Sequence, residues 1–313
     1  MRSFIAALLS ATCAVGALTL PTTSAATSFS FAAIGDVPYG PVEELGELAQ
    51  RINRASPAFT IHVGDIKSGG SRCSDEAFAS VRKVFDAFEQ PLIYTPGDNE
   101  WTDCHRRSCG QYDPLERLAR LRTMFFATEQ SLGMRKLMLQ SQASQPGFGK
   151  FVENRRWSVG KVSFVTLHLV GSNNNWQPEL PSVSEYAARD EANIAWLRDS
   201  FAQAKARKDV AIVLAMQADT FYGEPRPDSG FTRWTAALAE EVERWGKPVL
   251  LVQGDTHVHK IDQPLKNAQG KPLPWLTRVV VPGEHGADAV MVTVDDERAD
   301  QPFSLRLLGL SGR

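Results

Sequence analysis

Short apolar runs alternate with segments of helical period over the first third of the chain. FAAIGD, FTIHVGD and PLIYTPGD are β-branched or aromatic runs ending at Asp36, Asp65 and Asp98, and a fourth, VLLVQGD, ends at Asp255. Between the first three, Val42 to Ala55 and Asp75 to Phe88 place apolar residues at helical spacing. Asp113-Pro114 opens a further helix with proline in its first turn. Strands alternating with helices predict an α/β sheet with parallel strands. Crossovers of this kind bring successive strand ends to one sheet edge, where ligands of α/β folds bind. The four aspartates are therefore expected to converge.

A helical stretch and a Gly- and Gln-containing loop around Gln140 to Lys150 come next. Further strands are predicted at Val162 to Val170, Val210 to Met216, Val249 to Gln253, Arg278 to Val281, Ala289 to Val294 and Phe303 to Leu308. Helices over Arg189 to Ala206 and Thr232 to Trp245 separate some of them. The late strands follow one another through short turns, which predicts antiparallel additions. Two mixed sheets packed face to face with helices outside, a four-layer α-β-β-α sandwich, would absorb this many strands. No linker rich in Gly, Ser or Pro interrupts residues 27–313, so they read as one domain.

Residues 1–26 differ in kind. Arg2 is their only charge, Phe4 to Leu20 is apolar, Pro21 ends the run, and Ser24-Ala25-Ala26 offers small side chains to a signal peptidase. The run lies near the lower limit for a membrane span and is diluted by small polar residues. A cleaved signal peptide is the expectation, with export to the periplasm or the medium and no stable membrane anchor afterwards. Ser10-Ala11-Thr12 before Cys13 is a poor setting for lipid attachment. Cleavage leaves Cys73, Cys104 and Cys109 in an oxidising compartment, so one disulfide is expected. Cys104 to Cys109 would close a local loop. Cys73 to Cys104, favoured here, would tie two loops that each follow a Gly-Asp. A zinc site lacks the paired Cys-x-x-Cys it would need.

With 34 basic and 36 acidic side chains the net charge is −2, which argues against a long nucleic acid as partner. Apolar content of 43% excludes a disordered chain.

A single Asp after Gly usually caps or turns. Here the Gly-Asp junctions come with other ligand types: Asn99 and Glu100 follow Asp98, and His257 and His259 follow Asp255. Histidines two apart on an extended segment can be aimed at one cavity, and the chain has only six. Asp, Asn and His form a mixed oxygen and nitrogen set suited to Mn, Fe or Zn rather than calcium.

These blocks resemble those of the calcineurin-like metallophosphoesterases, which include the purple acid phosphatases. In order they are Gly35-Asp36, Gly64-Asp65, Gly97-Asp98-Asn99-Glu100, Met216-Gln217 and Gly254-Asp255-Thr256-His257-Val258-His259, spread from about Phe29 to about Val294. The resemblance implies that fold, two divalent metal ions and hydrolysis of a phosphate mono- or diester of a small substrate by a metal-activated water. By position, Asp65 would bridge the metals, with Asp36 and His259 on one and Asn99 and His257 on the other. Gln217 replaces a late histidine as a neutral ligand. Pro38 stands where many members carry a histidine, with Tyr39 beside it as an alternative phenolate. Glu100 takes the slot of a proton-donating histidine. These departures imply fewer nitrogen ligands, and they keep open a non-catalytic metal- or ligand-binding module on the same fold. A nuclease-like phosphodiesterase ranks lower on charge.

Other residues have bland readings beside sharp ones. His105, Arg106 and Arg107 follow Asn99 on the expected site edge. His105 is the second candidate catalytic residue, and Arg106 with Lys67 are candidate phosphate contacts. A charged loop run is otherwise simply solvated. His62 and His168 lie inside strand runs and read as packed histidines. His285 reads as a turn residue, and Asp219 as an aid to Gln217 or a loop cap. Asn173 to Trp176 form a polar loop that contacts substrate or only turns the chain.

Overall fold

Along β1 (Ser28–Ile34) the side chains divide between two cores: Phe31 and Ala33 face one, Ala32 and Ile34 the other. Two-residue alternation buried on both faces places this strand inside a layered structure. The computed structural model describes residues 28–176, 182–223, 229–284 and 288–309, so the expected signal peptide and His285 lie outside the described residues.

Two mixed sheets make up the inner layers. Parallel β1, β2 (Thr60–His62) and β3 (Leu92–Tyr94) are extended by antiparallel β11 (Val290–Asp295) and β12 (Phe303–Leu307), in the order β12-β11-β1-β2-β3. The second sheet runs β4-β5-β6-β7-β8-β10-β9. Its members are β4 (Gln140–Ser141), β5 (Arg155–Val159), β6 (Val162–Thr166), β7 (Ala211–Ala215), β8 (Val249–Gln253), β9 (Lys260–Asp262) and β10 (Leu276–Val280). Phe31, Phe59, Ile61, Phe164, Val213 and Val252 fill the space between the sheets. Outside the first sheet lie α1 (Val42–Ala55), α2 (Asp75–Asp86) and α3 (Pro114–Phe125). Outside the second lie the long helices α5 (Ser182–Arg207) and α6 (Thr232–Trp245), and α4 (Gly171–Asn174) is a single turn at its edge. The four layers are the α-β-β-α sandwich expected.

Local chemistry accounts for the helices. On α1 the buried positions Leu45, Leu48, Ala49 and Ile52 form one stripe at helical spacing. Ser74 caps α2 by accepting the Ala77 N–H, and Asp113 caps α3 by accepting those of Leu115 and Glu116, with Pro114 in the first turn. In α2 regular structure stops at Asp86, two residues short of the expected end, although Phe88 is fully buried. The start of α5 at Ser182 comes well before Arg189.

One expectation about the late strands is corrected, β11 and β12 are antiparallel additions as expected, and three strands have no sequence signal. β10 is parallel to β8, not an antiparallel addition, because β9 and the 263–275 crossover return the chain to the end from which β8 started. β11 then leaves for the other sheet. β4, β5 and β9 carry no apolar alternation. β5 opens on two arginines, and its Arg156 is buried by stacking on Trp196 at 4.2 Å and by hydrogen bonds to Gln140, Asp199 and Ser200.

A disulfide joins Cys73 and Cys104 across 31 residues, with 5.8 Å between their Cα atoms, and Cys109 is a buried free thiol. Among the described residues no helix is long and apolar enough to cross a membrane.

Candidate metal centre

The parallel strands of both sheets end along one edge, and there the backbone leaves ordinary geometry. Asp36, Asp65 and Asp255 have φ of 52°, 57° and 74°, the left-handed region that Asp tolerates better than most residues. Such backbone clusters where surrounding contacts over-determine it. The Asp36 N–H donates to Gly64 O at 2.9 Å. The Asp255 N–H lies 3.1 and 3.2 Å from the two Asp36 carboxylate oxygens. A Cβ on Gly97 would fall 2.1 Å from Asp65 Oδ1, so only glycine allows that approach.

One ligand atom from each of Asp36, Asp65 and His257 lies within 4.8 Å of the other two. Tyr39 sits among them: its hydroxyl donates to Asp65 Oδ2 at 2.8 Å, accepts from Asn99 Nδ2 at 2.7 Å and lies 3.2 Å from His257 Nε2. His257 Nε2 is 3.4 Å from Asp36 Oδ1, and Nδ1 is 3.3 Å from Glu284 Oε2, so a carboxylate orients the far side of the ring. Burial pushes the Asp36 carboxyl up, against the pull of His257. It pushes Asp65 up further, helped by the charges of Asp98, Glu100, Asp36 and Asp255. The hydrogen bond to Asp36, set against burial, raises His257.

A second group adjoins the first. Gln217 Nε2 lies 3.2 Å from both Asp65 Oδ2 and Asp255 Oδ1, while its Oε1 accepts the Gly171 N–H at 2.6 Å. A Cβ on Gly171 would come within 2.7 Å of Asp255 Oδ1 and 2.8 Å of Asp98 Oδ1. The hydroxyl of Ser172, in a left-handed turn with Asn173, Asn174 and Asn175, lies 2.7 Å from Asp98 Oδ2 and 2.9 Å from Asp103 Oδ1. Asp98 Oδ1 is buried with no hydrogen-bond partner. Burial, then the charges of Asp255 and Asp103, pushes the Asp98 carboxyl up to about 8. Burial and Asp36 push Asp255 up to about 6. Crowded buried carboxyls, one with an unpartnered oxygen, supply the oxygen donors a divalent cation takes.

No protein-family model matches the chain, and no curated protein does. Solved structures do. The chain is similar to a dimetal phosphatase from Danio rerio at a TM-score of 0.56 and 13% identity, over 90% of this chain and 99% of that one. It is also similar to a purple acid phosphatase from seeds of yellow lupin (Lupinus luteus), at 0.47 and 13%, over 90% and 53%. The fold is that of the calcineurin-like metallophosphoesterases.

Within this metallophosphoesterase fold the expected site residues fall into three groups. Asp36, Asp65 and His257 come together as ligand atoms. Asn99 and Gln217 reach the same place with the opposite polarity from the oxygen ligands expected. Asn99 Nδ2 donates to Asp65 Oδ2 at 2.8 Å with its Oδ1 over Gly69, and the Gly171 N–H already occupies the Gln217 oxygen. His259 turns away, with Nδ1 2.9 Å from Val280 O. His257 has φ of 57°, so the segment is not extended and residues two apart no longer share a face.

The remaining expectations are placed as follows. Glu100 is fully buried, and its Oε1 accepts from the Asp65 N–H, the Gly97 N–H and the Tyr94 hydroxyl, so it holds the Asp65 turn and not a leaving group. Lys67 is buried with Nζ on the Ser68 and Asn99 carbonyls at 2.8 and 2.7 Å, which ties down the Asn99 backbone. His105 is exposed, its Nδ1 2.7 Å from Thr102 O on the 3₁₀ turn Thr102–His105. Arg106 is exposed and paired with Asp103 at 2.7 Å, with NH1 beside the Gly69 position that Asn99 Oδ1 also faces. His62 and His168 are buried, the latter paired with Glu153 at 2.8 Å.

Asp98 and Asp255 were legible as Gly-Asp junctions, yet Asn99 and the histidines beside them drew the ligand assignment. Glu284 and Ser172 leave no sequence signal, because turns far along the chain bring them in.

Proposed function

We propose that the chain is an exported, metal-dependent phosphoesterase acting on a phosphate mono- or diester of a small molecule. The observation that carries this reading is the convergence of Asp36, Asp65 and His257 within ligand distance of one another, at the shared strand edge of two sheets in a metallophosphoesterase fold. Asp36, Asp65 and His257 would hold one divalent ion, and Asp65, Asp98 and Asp255 a second. The unpartnered, buried Asp98 oxygen supports the second set. When bound, such ions supply Lewis acidity toward a phosphoryl oxygen and an acidified water.

The chain's own residues do the rest. Tyr39 and Asn99 fix the Asp65 carboxylate by hydrogen bonds to Oδ2, and Gln217 spaces Asp65 from Asp255 without adding charge. Glu284 sets the His257 ring. Arg106 supplies a guanidinium at the rim, suited to phosphate by its planar fork. Proton donation to the leaving oxygen falls to His105, which is exposed, and not to Glu100, which is fully buried with three donors on its Oε1.

The test is elemental analysis of the mature chain, beside hydrolysis of p-nitrophenyl phosphate and bis-p-nitrophenyl phosphate with added manganese. Two metals per chain with turnover is the expected result. One metal or none, and no turnover with any divalent ion, would replace the enzyme by a binding module on the same fold.

A further inference from the structure

A cavity of about 930 Å³ opens beside the carboxylate cluster. Gly171, Ser172 and Asp255, which belong to the cluster, also line the cavity, so the two share a wall. That volume lies within the roughly 300–1,000 Å³ of small-molecule pockets and is far larger than a phosphate needs.

Its walls have a definite chemistry. Phe221, Tyr222 and Phe231 supply aromatic surface, and Ala236 and Leu265 aliphatic surface. Phe221 is held in place by the Arg278 guanidinium, 5.4 Å from its ring centroid, and Arg278 is itself locked between Asp219 and Asp262 at 2.5 and 2.7 Å. Tyr222, 79% exposed, offers a ring face that a ligand in the cavity would cover. The charged lining is mainly acidic: Glu240 and Glu243 line it from α6, and among the described lining residues the only cation is Lys266. Asp219 is matched by Arg278, and Glu240 is paired with Arg198 only at 3.3 Å on an exposed face. A substrate carrying a second anion, such as a nucleoside polyphosphate, would place that anion against these carboxylates. A bulky apolar alcohol would cover the rings and meet no charge of its own sign.

We infer that this cavity is the leaving-group site, and that the substrate is a phosphate ester of a bulky aromatic or aliphatic alcohol bearing no further anionic group. The inference rests on the phosphoesterase reading for the place of the phosphate and adds the identity of what the phosphate is attached to.

Binding of arylphosphonates to the full mature chain in manganese, measured by calorimetry, tests it without requiring turnover. Biphenylylphosphonate is expected to bind about tenfold tighter than phenylphosphonate. A carboxylate on the distal ring is expected to remove most of that gain, and Glu240→Lys/Glu243→Lys to restore it. Ala236→Trp, at an exposed position of α6, would fill the cavity and reduce the gain to about twofold or less. Equal affinity for the two phosphonates, or tighter binding of the carboxylate in the unaltered chain, overturns the inference. Turnover of p-nitrophenyl phosphate is scored separately. Tail preference without turnover removes the enzyme and leaves the cavity assignment, whereas turnover without tail preference does the reverse.

Discussion

Gln217 holds its amide nitrogen 3.2 Å from Asp65 Oδ2 while the Gly171 N–H, 2.6 Å from Oε1, keeps the carboxamide from turning over. A neutral donor thus stands between two carboxylates where a further charge would add to their repulsion. Gln217→Glu should therefore weaken the metal-free fold by about 2–4 kcal/mol and recover most of that loss when manganese is added. Urea unfolding in chelator and in manganese measures both quantities. Equal stability of the variant and the unaltered chain in chelator would show that the amide polarity is unimportant.

Asp65 belongs to both proposed ligand sets, so Asp65→Ala should reduce turnover to background and lower metal content. His105→Ala removes a group that touches neither set. It should keep the full metal content while kcat falls by about 10² or more. Elemental analysis beside p-nitrophenyl phosphate hydrolysis separates the two outcomes, and normal turnover in Asp65→Ala would remove the bridging role.

The carboxylates dictate how the metal-free protein responds to alkali. Burial holds Asp98 up to about 8 and Asp255 up to about 6, from ordinary values of 3.8. Between those limits the folded state keeps protons that the unfolded chain has released, so stability falls as pH rises. In chelator, Asp98→Asn should flatten that decline and stabilise the fold at pH near 8 by roughly 2 kcal/mol. Manganese should in turn raise the melting temperature of the unaltered chain more at the alkaline end than at the acid end.

His62 acts with the opposite sign. Burial lowers it from 6.5 to about 4. Its Nδ1 accepts the Gly64 N–H at 3.1 Å and its Nε2 lies 2.9 Å from Val37 O, so the folded state holds the neutral ring. The unfolded chain gains a proton as pH falls below 6.5 and the folded one does not, which costs up to roughly 3 kcal/mol by pH 4. His62→Gln should remove that acid loss, seen as a smaller drop in urea midpoint between those pH values.

The Cys73–Cys104 bond closes 31 residues that include the Asn99 turn. Loop-closure entropy for that span gives about 3–4 kcal/mol. Cys73→Ser/Cys104→Ser, or the reduced protein, should lose that much in urea unfolding.

Much of this architecture was open to reading along the chain. Period-two and helical spacing located α1 and α6 to the residue and placed β1, β2, β3 and β8 before their aspartates. Those patterns are local, and the burial that enforces them is the same on every layer of the sandwich. The strands that escaped, β4, β5 and β9, are short or cationic, and they are paired by neighbours rather than by their own apolar face. At the site, residue types were legible but their polarity was not. Nothing local says that a glycine amide would occupy the Gln217 oxygen, or that a left-handed His257 would separate it from His259. The sequence by itself determined which strand ends carry carboxylates. Only the tertiary structure decided which side-chain atoms face one another across two sheets, because that depends on backbone turns and buried partners supplied from elsewhere in the chain.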